Sequence, residues 1–242
     1  MSFCSILKYI EQRLPGVVRA RARVHQLLNW RRFPGSTAYW QCRYRTRGTS
    51  GVGSYGKLAE FKASVLNRFV AARQVASVIE FGCGDGNQLL YARYPRYTGL
   101  DVVREAILLC RERFQKDVTK SFFLYDPECF MDGVGVFRAD LALSLDVLYH
   151  LVEDSVFARY MELLFESGQR FVIIYSSNHD ETTSSPHVRH RQFADYVAVK
   201  FPEWQLMELI KNPYPLSQYP EPLGSLADFY IYERKNMASR PP

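Results

Sequence analysis

The run Val78-Ile79-Glu80-Phe81-Gly82-Cys83-Gly84-Asp85-Gly86-Asn87-Gln88-Leu89 limits what this chain can fold into more than any other stretch. An apolar, strand-like segment delivers an acid into a tight Gly-x-Gly-x-Gly turn, and a helix-compatible segment follows. Each glycine removes a Cβ where backbone must pass close to a ligand. A helix opening from such a turn would present an electropositive N-terminus, which suits a polar cofactor. The spacing narrows the choice. A dinucleotide fingerprint needs Gly-x-Gly-x-x-Gly. Counted from Gly82, its last glycine would fall at Asn87.

Strand-like and helix-like segments alternate from residue 77 onward. Strands are expected at 77–81, 97–100, 121–125, 141–145 and 171–175. Helices are expected between them at 86–93, 104–115 and 152–166. Upstream, Leu58, Phe61, Val65, Leu66, Phe69 and Val70 recur at helical spacing over 57–73. The alternation predicts an α/β fold with a mostly parallel sheet covered on both faces. The end differs: 203–210 and 228–233 are strand-like and flank a Pro-rich stretch, which fits a closing hairpin-like pair.

The length of 242 residues and 47% hydrophobic content fit one sizeable domain with a short extension. Residues 1–33 carry Lys8, Arg13, Arg19, Arg21, Arg23, Arg31 and Arg32 against Glu11 alone, which is the whole net charge of +6. Three parts follow: a basic helical extension over 1–36, a main body over 37–235 and a frayed tail over 236–242. The extension could touch an anionic membrane surface, nucleic acid or an acidic partner, or simply pack loosely on the body. No apolar run of about 18 residues is present, so no membrane-crossing helix is expected. Cys4, Cys42, Cys83, Cys110 and Cys129 form no Cys-x-x-Cys pair. They read as reduced thiols of a cytoplasmic protein, with a peripheral position at the inner membrane face left open through residues 1–33.

Asp101 closes the second expected strand, about 20 residues past Gly82. A carboxylate there can accept both ribose hydroxyls of an adenosine, or it can cap the next helix. Asp126 closes the third strand. It can accept from an adenine amino group, or start the turn before Pro127. The fourth strand runs into Leu145-Asp146-Val147-Leu148-Tyr149-His150-Leu151. In open α/β sheets ligands sit at the carboxyl ends of strands.

Glu80–Gly86, Asp101 and Ser144–Leu151 together resemble a class I S-adenosylmethionine (SAM)-dependent methyltransferase. The stretch from Ser50 to Lys62 resembles the front segment of a bacterial small-molecule subgroup found among capsule and surface-glycan genes. The resemblance covers roughly residues 39–234. It implies a Rossmann-like fold with a seven-stranded, mostly parallel sheet, helices on both faces and a C-terminal antiparallel strand. It implies SAM as cofactor, held by Glu80, Gly82, Cys83, Gly84, Gly86, Asn87, Gln88, Asp101, Val102, Asp126, Leu145 and Asp146. Arg43 is a further candidate, for the methionine carboxylate. The segment after the fourth strand would line the methyl-transfer site. Amino-methylating DNA enzymes carry an Asn/Asp-Pro-Pro-aromatic run there, where this chain has Leu145-Asp146-Val147-Leu148, so DNA is not an expected substrate. The absence of a cysteine at that position argues against a thiolate-dependent cytosine mechanism.

A polar stretch follows the fifth strand, from Ser176 to Arg191, and holds three of the five histidines. Arg189 and Arg191 can fork onto a phosphate or carboxylate. His179, Asp180, His187 and His190 are usable metal ligands, but their spacing matches no standard site and no metal is expected. Tyr39, Trp40, Arg43 and Tyr44 form either a lid or an apolar cap. His150 is the first candidate base, with His187 and His190 behind it. Tyr39, Tyr55, Tyr149, Arg189 and Arg191 are the substrate-binding candidates. The expected reaction is O-methylation of a small acceptor, a sugar or its phosphate-type substituent, in surface-glycan biosynthesis. RNA- or protein-directed methylation guided by the basic extension is one alternative, and a non-catalytic SAM-binding subunit is another.

Overall fold

Strand β1 (Val78–Phe81) is buried along its whole length because it lies mid-sheet with helices on both sides. Its apolar residues Val78, Ile79 and Phe81 suit a strand covered on both faces, and Glu80 is buried with them. The computed structural model describes residues 33–220 and 222–235. The basic extension and the tail, with the roles expected of them, lie outside the described residues up to residue 32 and from residue 236.

The described chain opens with helix α1 (Ser36–Arg45), a short 3-10 turn (Val52–Ser54) and helix α2 (Gly56–Ala72). After β1 come β2 (Tyr97–Asp101), helix α3 (Arg104–Arg113), β3 (Lys120–Leu124) and β4 (Ala139–Leu145). Helix α4 (Asp154–Ser167) and β5 (Gly168–Ser176) follow, then a small ribbon of β6 (Glu181–Thr182) and β7 (Arg189–His190). Helix α5 (Phe193–Lys200), β8 (Trp204–Ile210) and β9 (Asp228–Arg234) complete the fold. The main sheet has seven strands in the order β3-β2-β1-β4-β5-β9-β8. β1 to β5 pair in parallel, and β9 runs antiparallel to both β5 and β8. The expected Rossmann-like sheet and its closing antiparallel strand are therefore present.

Alternation along the strands divides the core. Val78, Leu141, Leu143, Phe171 and Ile173 pack with Val65, Leu66 and Phe69 of α2. Ile79, Phe81, Ala142, Val172 and Ile174 pack with Phe157, Met161 and Leu164 of α4 and with Phe193 and Val197 of α5. The strand order reverses between β1 and β4, with β2 on one side of β1 and β4 on the other. The carboxyl ends of these strands form the crevice where ligands bind in such sheets.

One element departs from expectation. The segment after the glycine turn is not a helix over 86–93 but a single 3-10 turn, Gln88–Tyr91. Pro95 and the early start of β2 leave no room for more. One turn carries no helix dipole of consequence, so that part of the electrostatic argument does not apply here.

Candidate active site

Gly82, Gly84 and Gly86 all have positive φ, at 80°, 56° and 71°. A Cβ on Gly82 would stand 2.6 Å from Val147 Cγ2, and one on Gly84 would stand 2.3 Å from Ser50 Oγ. These two glycines let the loop after β4 and the front segment close over the turn. Gly86 serves a different purpose from the one expected. Its Cβ would meet Cys110 Sγ at 2.9 Å, so its bareness seats the turn on α3.

The Gly84 amide donates to Asp101 Oδ2 and the Val103 amide to Oδ1, each at 2.9 Å. Asp101 is thus held by backbone on the wall of the crevice. Burial pushes its pKa up to about 6, against the pull of those amides. Burial likewise raises Glu80 to about 7, opposed by the hydroxyl of Tyr97, which donates to Glu80 Oε2 at 2.7 Å.

Asp85 was not singled out from the sequence, yet it ties the turn to the front segment. Its carboxylate accepts from the Ser50 amide at 3.2 Å, the Tyr55 hydroxyl at 2.7 Å and the Asn87 amide at 2.9 Å. Its own amide donates to Ser50 Oγ at 2.9 Å. Burial raises its pKa, but these bonds outweigh that and leave it below the ordinary value. Asn87 Nδ2 donates to the Ser54 carbonyl at 2.7 Å, and Gln88 Nε2 to the Ala59 carbonyl at 3.0 Å. Tyr55 and Asn87, expected at substrate and cofactor, are therefore stitches between segments.

Two cavities meet at this end of the sheet. Of the residues expected at the cofactor, Glu80, Gly82, Cys83, Gly84, Gln88, Asp101, Val102, Leu145 and Asp146 line the first. Ser36, Thr37, Trp40 and Tyr44 of α1 line it as well. Gln88 Oε1 is buried and without a hydrogen-bond partner. The second cavity holds about 580 Å³ and is lined by Arg43, Tyr149, His150, His187 and His190, among others. Trp40, Ser50, Asp146 and His150 belong to both walls. Two cofactor candidates move. Asp126 is exposed and accepts from the Glu128 amide at 3.0 Å, so it starts a turn. Arg43 faces the second cavity, with its guanidinium over Trp40 and its Nε donating to the Thr49 carbonyl at 2.8 Å.

The junction of the cavities is built around Asp146, a non-glycine residue at φ 60°. Its amide donates to the Tyr175 carbonyl at 2.9 Å. Lys62 Nζ donates to its Oδ2 at 2.6 Å and the Tyr149 hydroxyl to its Oδ1 at 2.8 Å. The Lys62 side chain is only 1% exposed. The sequence does carry a signal for Lys62, which stands four residues after Leu58 and four before Leu66, on the apolar stripe of α2. A lysine on that stripe needs a buried partner.

His150 Nδ1 lies 3.1 Å from the His187 carbonyl oxygen. A carbonyl only accepts, so Nδ1 carries the proton and Nε2 keeps its lone pair. Burial pushes the pKa of His150 down to about 4. His187 stacks on Tyr39 at 4.3 Å, and Tyr39 lines neither cavity; it is a shelf for His187 and not a substrate contact. His190 Nδ1 lies 2.6 Å from Ser177 Oγ. Burial lowers the pKa of both His187 and His190.

Arg189 and Arg191 also differ from expectation. Arg191 donates to the carbonyls of Leu151 and Val152 and pairs with Asp154, and Arg189 bonds Val152 and Asp154 as well. Neither lines either cavity. They satisfy carbonyls left open just before α4 and so brace the loop after β4. On the other side of that loop, Ser36 Oγ donates to Glu153 Oε2 at 2.5 Å and accepts from the Val152 amide at 3.0 Å. This latches α1 over the first cavity. Asp180 accepts from the Gln192 amide at 3.1 Å and, among the described residues, takes no part in a cluster of metal-ligand type. Such a cluster forms instead from His179, Glu181 and His190.

A family model described as a methyltransferase domain matches residues 56–216. Sequence comparison with curated proteins returns no match. Among solved structures, the methyltransferase domain of a bacterial Hen1 (CtHen1-C) is similar at TM-score 0.56 and 18% identity, covering 73% of this chain and 98% of that one. The N-methyltransferase NodS from Bradyrhizobium japonicum WM9, in complex with S-adenosyl-L-homocysteine, is similar at TM-score 0.56 and 14% identity, covering 72% and 85%. The magnesium protoporphyrin IX methyltransferase of Synechocystis PCC 6803, with bound SAM, is similar at TM-score 0.57 and 12% identity, covering 87% and 97%.

Proposed function

The chain belongs to the methyltransferase-domain family and is a SAM-dependent methyltransferase; we propose that it methylates an anionic oxygen on a small acceptor, such as a phosphate-type substituent of a sugar. The residues of the first cavity fit the cofactor. Asp101 is a buried carboxylate with acceptor capacity left for ribose hydroxyls. Gln88 Oε1 is an orphaned acceptor suited to an ammonium group. Bound SAM supplies a methyl already activated on a sulfonium. The first cavity measures about 110 Å³. Helix α1, latched by Ser36, roofs this cavity.

The observation that carries the acceptor reading is the chemistry of the second cavity. Arg43 stands on its wall, and its charge helps to depress both His150 and His187. A base with a pKa near 4 removes little of a sugar hydroxyl's proton at neutral pH. An oxygen that is already anionic needs no base. In that arrangement Arg43 attracts the anion. His150 Nε2 accepts a hydrogen bond from a neighbouring hydroxyl of the acceptor. Asp146, held by Lys62 and Tyr149, fixes the junction where the methyl passes, and α1 with Trp40 excludes water. Surface-glycan biosynthesis supplies acceptors of this kind, in keeping with the front segment from Ser50 to Lys62.

The test is a transfer assay with methyl-labelled SAM and the full chain. Sugars, sugar phosphates, phosphoramidates and RNA are offered in parallel, and the products are identified by mass spectrometry and NMR. Label on an anionic oxygen of a small acceptor supports the proposal. Label only on RNA, on protein or on nitrogen contradicts it.

A further inference from the structure

His179, Glu181 and His190 bring one ligand atom each to within 4.8 Å of one another. None of the three is used by the chemistry above. Glu181 and His190 are Cα partners across the β6–β7 ribbon, so their side chains leave the same face. His179 stands two residues before Glu181. Its Nε2 lies 3.2 Å from Glu181 Oε2, and its ring stacks on that of His190 at 4.8 Å. His190 is fixed from behind, because its Nδ1 bonds Ser177 Oγ at 2.6 Å and both residues are buried. Metal-ligating histidines are oriented in this way by a bond at the other ring nitrogen, which leaves Nε2 as the donor.

We propose that His179, Glu181 and His190 form a binding site for a divalent transition metal, Zn²⁺ in particular, with one coordination position open to the second cavity. Two imidazoles and a carboxylate make a donor set that zinc takes with a fourth position free. Zinc bonds of about 2.0–2.1 Å place tetrahedral ligands roughly 3.4 Å apart, so side-chain rotations on the order of 1 Å close the cluster. Glu181 and His190 both line the second cavity, beside His150 and Tyr149. A cation there faces whatever occupies that cavity and would hold an anionic acceptor oxygen as a Lewis acid. That role rests on the acceptor reading above, whereas the binding of metal does not.

The experiment titrates chelator-stripped full-length protein with Zn²⁺ by calorimetry and follows Co²⁺ substitution by visible absorption. SAM is titrated in parallel. The expected result is one Zn²⁺ per chain and tetrahedral Co²⁺ bands. Glu181→Gln and His179→Ala should each weaken binding by about tenfold or more, and Ser177→Ala by about 10–100-fold through the lost orientation of His190. His179 and Glu181 are 42% and 57% exposed, so those two variants disturb no core. Absence of Zn²⁺ binding in a chain that still binds SAM overturns the site and leaves the methyl-transfer reading standing. Equal Zn²⁺ affinity in the parent, Glu181→Gln and His179→Ala overturns it as well.

Discussion

The two ends of the ligand crevice are built on different principles. At the cofactor end, short-range backbone geometry does most of the positioning. Three positive-φ glycines shape one turn, and two nearby amides hold Asp101. At the acceptor end, side chains from distant segments meet. Lys62 and Asp146, at the junction of the two cavities, are 84 residues apart, and His150 leans on the carbonyl of His187, 37 residues further along. The first construction suits a cofactor shared across a family. The second can change its acceptor through a few loop residues while the sheet stays the same.

The largest expected effect falls on the acceptor end. Lys62→Met leaves Asp146 buried without its cation and should cost about 3–5 kcal/mol of stability in urea unfolding. A loss below about 1 kcal/mol would show that the pair is not what holds the junction. Next comes the cofactor end. Asp101→Ala should weaken SAM binding by about 1–3 kcal/mol in calorimetric titration, through lost ribose hydrogen bonds. Unchanged affinity would remove Asp101 from the cofactor.

Titration separates the ends further, with opposite signs. Glu80 is raised from 4.5 to about 7, so its contribution to stability is full below pH 4.5 and is lost as pH rises through 7. Glu80→Gln cannot ionise and should gain on the parent over that range. His150 is lowered from 6.5 to about 4, so its contribution is present above pH 6.5 and is lost as pH falls toward 4. His150→Gln should gain on the parent in acid. Denaturant midpoints across this pH range measure both, and parallel curves for parent and variants would contradict the two assignments. The smallest effect is local. Ser36→Ala removes the latch of α1 and should speed amide exchange in α1 by about tenfold, with SAM slowing exchange in the parent. Exchange unaffected by SAM would mean that α1 is not the roof of the cofactor cavity.

The same contrast explains what could be read from the chain. The mostly parallel sheet and the place of Asp101 follow from local patterns: apolar strands, a glycine turn and an acid at the expected distance. The helix expected over 86–93 is a 3-10 turn instead, because apolar spacing does not register that β2 begins only a few residues after the turn. Arg189, Arg191 and Tyr55 carry plausible ligand chemistry, yet each is taken up by carbonyls or carboxylates from segments that sequence order does not bring near, whereas Asp126 is taken up by the local turn that was its alternative. Asp85 carries no local signal between its two glycines, because its partners, Ser50 and Tyr55, come from the front segment. Lys62 was legible in principle, as a charge on an apolar stripe. The pairing of His179 with Glu181 and His190 was not, because it depends on the register of a two-residue ribbon.

The most direct measurement is a set of SAM titrations on the full chain, with Asp101→Ala and His187→Ala beside the parent and NADH as the competing cofactor. Saturable SAM binding is expected, weakened roughly fivefold or more by Asp101→Ala and unchanged by His187→Ala, which belongs to the acceptor end. Saturable NADH binding without SAM binding, or an equal loss in both variants, would contradict the division of the crevice into a cofactor end and an acceptor end.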